Sequence, residues 1–183
     1  MSKIKSSSKK VLEQKKEILN KYNWKVSANT LIESNISKVW DIISTESNLE
    51  LFHPFCRKNR SINWPGGDSV DEIEYLNRLT FIRKFTKWEQ NNGYDLYIGQ
   101  KKGPLSFVRW RLSSDGDKCD INITVYPYLF NIGSKLVNIL PFWLIIRPML
   151  ISYLNSVVKG LKFYAETNKI VKPNHFGRHR WFS

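Results

Sequence analysis

The chain has 183 residues, a length that suits one domain with its own core and is short for two. Hydrophobic residues make up 42% and aromatic residues 14% of the sequence, which excludes a disordered chain although 25% of the residues are charged. The formal net charge is +13. A chain of this composition is expected to fold and to have bulky side chains available to line a cavity.

The positive charge lies mostly near the two ends of the sequence. Residues 1–25 contain eight Lys and two Glu, and residues 169–183 contain four basic residues and no acidic one. We therefore predict a basic, partly helical N-terminal tail at 1–22, a domain at 23–168 and a basic, aromatic tail at 169–183. Such tails favour salt-sensitive contact with a polyanion, whether a phospholipid surface, RNA or an acidic protein.

The cysteines and the first residues bear on the cellular compartment. Cys56 and Cys119 are far apart in the sequence, and the opening sequence MSKIKSSSKK lacks the apolar core of a secretory signal. We therefore expect a cytoplasmic protein with free thiols.

The elements are predicted in chain order from the period of the apolar residues. A short, partly amphipathic helix is predicted at about residues 11–21, and period-two alternation from Trp24 predicts a first strand. KVWDIIS, after a cap at Asn35 or Ser37, and NLELFHPF, which ends at Pro54, predict two short helices. Six strands follow with short turns between them, which indicates antiparallel neighbours.

The last predicted element is a long amphipathic helix in the sequence MLISYLNSVVKGLKFYAETN. Its apolar side chains recur at helical spacing and form one stripe, as expected for a helix that packs on a core. The stripe contains Leu150, Leu154, Val157, Val158, Leu161 and Ala165.

This order of elements, with the stretches ANTLIESNISKVWDIIS and LELFHPF, resembles the START-like helix-grip superfamily, which includes SRPBCC and polyketide cyclase/dehydrase-like proteins. The resemblance covers about residues 24–168. It implies an α+β fold in which a curved antiparallel sheet of six or seven strands wraps round the C-terminal helix. It also implies a cavity between the sheet and that helix. Members of the superfamily bind lipids, sterols, quinones and plant metabolites, and some catalyse aromatic cyclisation.

Five aromatic residues are the candidate ligand contacts. On a cavity wall, each would pack on an apolar ligand and present an indole N–H or a phenol O–H. For each of them, the alternative is an ordinary core or surface aromatic residue. The candidates are Trp88, Trp110, Tyr126, Trp143 and Tyr153.

Three arginines lie inside predicted strands. Arg83 shares a strand face with Phe81 and Phe85, and Arg109 shares a face with Phe107, while Arg111 also lies within a strand. An inward guanidinium would bind a ligand carboxylate through two hydrogen bonds. The favoured position for all three is nevertheless the solvent face of a half-exposed strand.

Residues 129–151, LFNIGSKLVNILPFWLIIRPMLI, form an unusually apolar segment. The uncharged run 136–146 is shorter than the roughly 20 residues that cross a bilayer, and Pro141 and Pro148 are expected to break a helix. The favoured prediction is a lid over the cavity or a core segment. The alternative is an exposed surface that enters a membrane, with Phe142, Trp143 and Leu144 at its tip.

No metal, cofactor or catalytic site is predicted. The spacing of His175 and His179 would suit zinc on a helix, but no Cys or acidic residue stands near them and Gly177 lies between them. His53, beside Pro54, is expected to be structural.

The sequence has no Ser-His-Asp order with supporting motifs, no Gly-rich phosphate loop and no paired carboxylates in an apolar context. It therefore favours a binding protein over an enzyme.

The favoured function is the binding of a hydrophobic small molecule, such as a lipid, isoprenoid, quinone or polyketide-like compound. Peripheral contact with an anionic membrane is a further hypothesis, based on the charged tails. One alternative is a cyclase or dehydratase with an acid–base pair in the same cavity. Another is a nucleic-acid- or ribosome-associated protein, which is weakened because only HFGRHRWF interleaves basic and aromatic residues.

Overall fold

The computed structural model describes residues 20–183, so the helix predicted at about 11–21 lies almost wholly outside the described residues. Seven strands, two short helices after the first strand and a long C-terminal helix confirm the predicted fold. The elements are β1 (Val26–Ile32), α1 (Ile36–Ser44), α2 (Leu49–Phe52), β2 (Cys56–Asn63), β3 (Val70–Tyr75), β4 (Thr80–Glu89), β5 (Gly93–Gly99), β6 (Ser106–Asp115), β7 (Lys118–Tyr126), α3 (Lys135–Pro141), a π-helical turn (Phe142–Ile146) and α4 (Arg147–Thr167).

The strands form one sheet in the order β1-β7-β6-β5-β4-β3-β2, and every neighbouring pair is antiparallel. β2 to β7 form a meander because consecutive strands pair with each other. Val108, Trp110 and Leu112 alternate on β6 and belong to the core between the sheet and the helices. Arg109 and Arg111 lie between them in sequence and point to the opposite face.

The turn between β4 and β5 needs its glycine for two reasons. Gly93 has φ +127°, a backbone conformation that side chains strongly disfavour. A Cβ at this position would also lie 2.1 Å from the carbonyl oxygen of Trp110 on the adjacent strand. The predicted turn sequence Asn-Asn-Gly is therefore required by close contact as well as by chain reversal.

α4 crosses the inner face of the sheet and buries the predicted stripe, including Leu154, Val157 and Leu161. Near its middle the helix backbone lies directly against α2. A Cβ on Gly160 would lie 2.1 Å from the carbonyl oxygen of Phe52. This glycine therefore permits the closest approach of the two helices.

α3, the π-helical turn and α4 form one continuous helix, Lys135–Thr167. The break predicted at Pro141 and Pro148 is wrong. The helix continues past Pro141, which has no N–H to donate, because the N–H of Phe142 bonds the carbonyls of Asn138 and Ile139. In the wide turn that follows, the N–H of Arg147 bonds the carbonyl of Phe142, five residues earlier. Pro148 lies in the first turn of α4. By length and composition alone, the whole helix is long and apolar enough to cross a membrane, but α4 packs into the core of this domain.

Residues 169–183 pack against the domain, whereas the sequence predicted a separate tail. The N–H of Val171 donates to the carbonyl of Leu51 at 3.0 Å. The side-chain amide of Asn77, in the β3–β4 turn, donates to the carbonyl of Trp181 at 2.7 Å. Phe182 is buried. This segment, which we call the C-terminal strap, covers the gap between the β3–β4 hairpin and α4.

The Gly160→Ala substitution is expected to destabilise the protein by about 1–3 kcal/mol, since the overpacking against α2 outweighs the gain in helix propensity of about 1 kcal/mol. Equilibrium urea unfolding measures the free energy of unfolding. Gly103→Ala is the matched control, because a Cβ there meets no atom within 4 Å. Equal stability of the two variants would contradict the close helix contact.

Candidate functional site

A cavity of about 390 Å³ lies between the sheet and the N-terminal half of α4. Small-molecule sites typically have volumes of about 300–1,000 Å³. Strands β3 to β7, helix α4, residues 127–129 and the C-terminal strap contribute to its walls. Most lining side chains are aliphatic or aromatic, among them Ile73, Leu96, Val108, Ile123, Leu154 and Val157. The site is therefore suited to a largely apolar molecule.

Two of the five candidate ligand contacts, Trp110 and Tyr153, line this cavity. Trp110 is held between Phe52 and Tyr94, whose ring centroids lie 6.3 and 5.4 Å from its own. Tyr153 reaches the cavity from α4. Both are wall residues of this cavity, and their contact with a ligand stays a prediction.

Trp88 and Tyr126 lie outside the cavity. Trp88 is on the inner face, but it packs near the opposite end of the sheet against Trp40 and Trp64, with ring centroids 5.5 and 5.1 Å away. A register shift in β4 precedes it. Tyr126 is on the outer face, 6.1 Å from the ring of Tyr22. Both rings pack on other aromatic residues, which agrees with the alternative that each is an ordinary core or surface aromatic residue.

The three residues of the predicted membrane tip separate onto two faces of the helix. Phe142 is fully buried, and its ring centroid lies 4.8 Å from that of Trp24. Its expected place at an exposed tip is therefore wrong, because it occupies the inward side of the π-helical turn. Trp143 and Leu144 do point outward, and Trp143 does not line the cavity.

The apolar segment 129–151 is divided between two environments. Leu129, Ile146 and Leu150 line the cavity, as a lid or core segment would. Most of the large side chains from Leu136 to Ile145 are exposed. The favoured prediction of a lid or core therefore holds for only part of the segment.

A hydrogen-bonded cluster of His53, Tyr153 and Tyr75 forms the polar part of the cavity wall. The hydroxyl oxygen of Tyr153 lies 2.8 Å from Nε2 of His53 and 3.2 Å from the hydroxyl oxygen of Tyr75. The N–H of Phe55 donates to Nδ1 of His53 at 3.2 Å. In the neutral ring the proton is therefore on Nε2, which donates to Tyr153.

Burial keeps this cluster uncharged at neutral pH. Burial, and then the charge of Arg83, lower the pKa of His53 to about 3. Burial raises the pKa of Tyr153 to about 12 and that of Tyr75 well above its ordinary value. The cluster therefore presents neutral hydrogen-bonding groups to the cavity.

Arg83 lines the cavity and is buried, so its predicted solvent-facing position is wrong. Its Nε donates to Oδ1 of Asp71 at 2.7 Å, and its Nη2 bonds the other carboxylate oxygen. Asn59 donates to the same carboxylate at 3.1 Å. Burial alone would lower the pKa of Arg83, but the charge and hydrogen bonds of Asp71 outweigh burial and raise it. The guanidinium is therefore neutralised within the protein and is not free to recognise a ligand carboxylate alone.

Arg109 and Arg111 lie on the outer face of the sheet, as predicted. Both contact the carboxylate of Asp95, at 3.2 and 2.6 Å. Their side chains are about a quarter exposed. They take no part in the cavity.

The C-terminal strap supplies cavity residues that the sequence analysis did not identify. Trp181 and Phe182 line the cavity, and Phe182 stacks on Tyr75 with ring centroids 4.3 Å apart. His179 lies beneath them, with Nε2 3.0 Å from the carbonyl of Met149. Burial lowers the pKa of His179. The basic composition of the strap concealed this role.

His175 and His179, the pair with a zinc-like spacing, lie in different surroundings. Within residues 20–183, no group of three or more His, Cys, Asp or Glu side chains is arranged to hold a metal ion. His175 packs against Phe163, with ring centroids 4.9 Å apart, and His179 is in the strap contact. Cys56 and Cys119 are free thiols.

No family model and no curated protein matches the sequence. Solved structures match the architecture. DynU16, a protein of the dynemicin biosynthetic locus, superimposes with a TM-score of 0.62 at 13% identity, over 80% of this chain and 48% of that one. TTHA0849 from Thermus thermophilus has a TM-score of 0.62 at 12% identity, over 78% and 97% of the two chains. The chain has the START-like helix-grip fold.

A third similar structure is the di-domain ARO/CYC protein BexL from the BE-7585A biosynthetic pathway. It has a TM-score of 0.60 at 8% identity, over 77% of this chain and 47% of that one. This helix-grip chain thus spans about half the length of DynU16 and of BexL.

Within the helix-grip fold, the cavity chemistry is that of a neutral hydrogen-bonding site. His53 uses Nδ1 to accept from the backbone and Nε2–H to donate to Tyr153. Tyr75 and Tyr153 have two hydroxyl hydrogens, one of which the bond between them uses. One hydroxyl hydrogen is therefore available for an oxygen atom on an otherwise apolar ligand.

The buried His53 is expected to make stability fall as the pH decreases from about 6.5 to 3. The folded-state pKa is about 3 and the unfolded one about 6.5, so over this range only the unfolded state binds the proton. For each pH unit of acidification, the free energy of unfolding of the wild type should therefore decrease by about 1.4 kcal/mol more than that of His53→Gln.

Urea unfolding at several pH values measures this difference in slope. His175→Gln, which removes an exposed imidazole, is the control. Parallel pH profiles for the wild type and His53→Gln would show that His53 is not buried in neutral form.

Proposed function

We propose that this protein binds a hydrophobic small molecule in the cavity and contacts an oxygen atom of that molecule through the Tyr75–Tyr153 pair. The observation that carries this proposal is an apolar cavity whose wall contains one neutral hydrogen-bonding cluster. Burial of the ligand provides the affinity, at about 25 cal/mol per Å² of apolar surface removed from water. The hydroxyl pair provides orientation.

An oxygen-bearing ligand is favoured because one tyrosine hydroxyl hydrogen of the cluster has no acceptor within the cluster, whereas the other bonds of the cluster are made. A ketone, quinone, ester or hydroxyl oxygen would accept the remaining hydroxyl hydrogen. A pure hydrocarbon would leave this buried donor without a partner, which costs about 1–3 kcal/mol. Isoprenoid, quinone, sterol-like and polyketide-like molecules all have this combination of apolar body and oxygen.

A cyclase or dehydratase acting in the same cavity is the second candidate, since BexL is described as an ARO/CYC protein. Such chemistry needs a general acid or base whose pKa lies near the working pH. The pKa of His53 is about 3, and those of the two tyrosines are raised. Arg83 is paired with Asp71. These groups support binding better than proton transfer.

A nucleic-acid function based on the basic ends has less support. The aromatic residues of HFGRHRWF would have to be free to stack on bases. His179 and Phe182 are instead buried against the domain. Contact with an anionic membrane, where apolar ligands dissolve, agrees better with exposed Trp143 and Leu144.

The oxygen contact is tested with 2-acetylnaphthalene and its near-isosteric hydrocarbon 2-isopropylnaphthalene. In the double variant Tyr75→Phe/Tyr153→Phe, the ratio of their dissociation constants should shift about tenfold toward the hydrocarbon, as expected for one lost hydrogen bond. Isothermal titration calorimetry measures both constants. Tyr128→Phe is the matched control, because Tyr128 lines the β7 side of the cavity and should leave the ratio unchanged.

The cavity itself is tested by filling it. Val108→Trp should abolish the binding of both naphthalenes, whereas Ser113→Trp, on the same strand but exposed, should retain it. Binding that survives Val108→Trp would place the ligand elsewhere. An unchanged ratio in the double variant would remove the oxygen contact but keep the cavity.

A further inference from the structure

The exposed face of α3 and the π-helical turn is made of large apolar side chains. Leu136 is 88% exposed, Val137 74%, Leu140 67% and Leu144 72%. The three leucines follow the i, i+4, i+8 spacing of one helix face and Val137 lies beside them, so the four form a continuous stripe. Such a stripe on a protein surface indicates an interaction site.

The opposite side of the same helical segment is anchored in the domain. Phe142 and Ile146 are buried, and Phe142 packs on Trp24. The backbone N–H of Asn23 donates to the carbonyl of Asn131 at 2.9 Å, which holds the loop before α3 against the residues that precede β1. The apolar stripe is therefore presented by a fixed element.

Among the described residues, the segments that contacts join to this stripe carry only positive charges. Residues 20–32, 97–105 and 121–150 contain no Asp or Glu. A hydrogen bond of 2.8 Å from the Tyr22 hydroxyl to the carbonyl of Leu105 joins the first two of these ranges. The basic residues in the three ranges are Lys21, Lys25, Lys101, Lys102, Lys135 and Arg147, all of them exposed.

We propose that this face docks on an anionic lipid bilayer, with α3 and the π-helical turn in the plane of the interface. The proposal rests on the ligand-binding function above and names where the ligand is exchanged. The leucine side chains would enter the acyl boundary, and the basic residues would meet the lipid headgroups. Arg147 lies 4.8 Å from the Trp143 ring centroid, so an aromatic ring and a cation stand together at the level of the headgroups.

Part of the cavity wall belongs to the same chain segment as this face. Leu129, Ile146 and Leu150 line the cavity and lie in the same 129–151 segment as the exposed stripe. An apolar ligand would pass from the cavity to the bilayer along these side chains without crossing bulk water. Docking by this face therefore links membrane contact to ligand exchange.

A bilayer fits this face better than a second copy of the chain. A symmetric dimer through the stripe would bring two sets of basic residues together, because the same patch is used on both subunits. Like charges across an interface oppose association. Anionic lipid headgroups instead complement them.

The test is cosedimentation of the full chain with vesicles of phosphatidylcholine mixed with phosphatidylserine. The triple variant Leu136→Ser/Leu140→Ser/Leu144→Ser should lower the partition coefficient by about a hundredfold or more, since each partly inserted leucine contributes on the order of tenfold. Pure phosphatidylcholine vesicles should bind the wild type more weakly, as should the mixed vesicles at high salt.

The matched control is Ile62→Ser/Ile170→Ser, which removes two exposed apolar side chains outside the stripe. It should bind the mixed vesicles as the wild type does. Equal binding by the wild type and the triple variant would overturn the proposal. Conversion of a dimer to a monomer by the triple variant, seen by analytical ultracentrifugation without loss of vesicle binding, would also overturn it and assign the stripe to self-association.

Titration of the triple variant with 2-acetylnaphthalene separates docking from ligand binding. Wild-type affinity for this probe together with lost vesicle binding is the expected result. If the wild type binds the probe but not the vesicles, docking is refuted and the cavity function stands. If the wild type binds vesicles but not the probe, the proposed ligand function fails.

Discussion

The contact between α4 and the curved sheet determines where this protein has a cavity. A straight helix can lie close to a concave sheet only over part of its length. Here the close part is at Gly160 and Ala165, where small side chains bring α4 against α2 and β1. Toward its N-terminus, Tyr153, Leu154 and Val157 face a gap. The cavity is therefore a consequence of where the small residues stand along one helix.

The second constraint is that the buried charged and polar groups of the wall find partners within the protein. Asp71 neutralises Arg83, and His53 bonds the backbone on one side and Tyr153 on the other. Buried groups arranged in this way resist change, since leaving one without its partner costs several kcal/mol. The C-terminal strap completes the wall with Phe182. What remains is a largely apolar surface with a neutral hydrogen-bonding cluster, which suits recognition better than proton transfer.

The elements that were predicted correctly are those that local periodicity in the sequence specifies. The stripe from Leu150 to Ala165 and the antiparallel meander follow from spacing and turn residues alone. Arg83 was correctly grouped with Phe81 and Phe85 on one strand face, but that face was wrongly predicted to meet solvent. The burial of Arg83 depends on Asp71, and only the β3–β4 register brings the two together.

The errors have similar physical causes. Pro141 was expected to break a helix that a π-helical turn carries on, and the same turn directs Phe142 inward. The strap was predicted as a tail because its basic composition conceals the buried rings of His179 and Phe182. In each case the deciding contact is made by residues distant in sequence, or by a backbone geometry that composition does not encode.

The measurement that tests the central claim most directly is native mass spectrometry of the freshly purified protein, followed by extraction of any bound molecule. Our account predicts a one-to-one complex with an apolar, oxygen-containing compound, formed during expression or after incubation with a membrane lipid extract. A protein that stays at its bare mass under both conditions would contradict it.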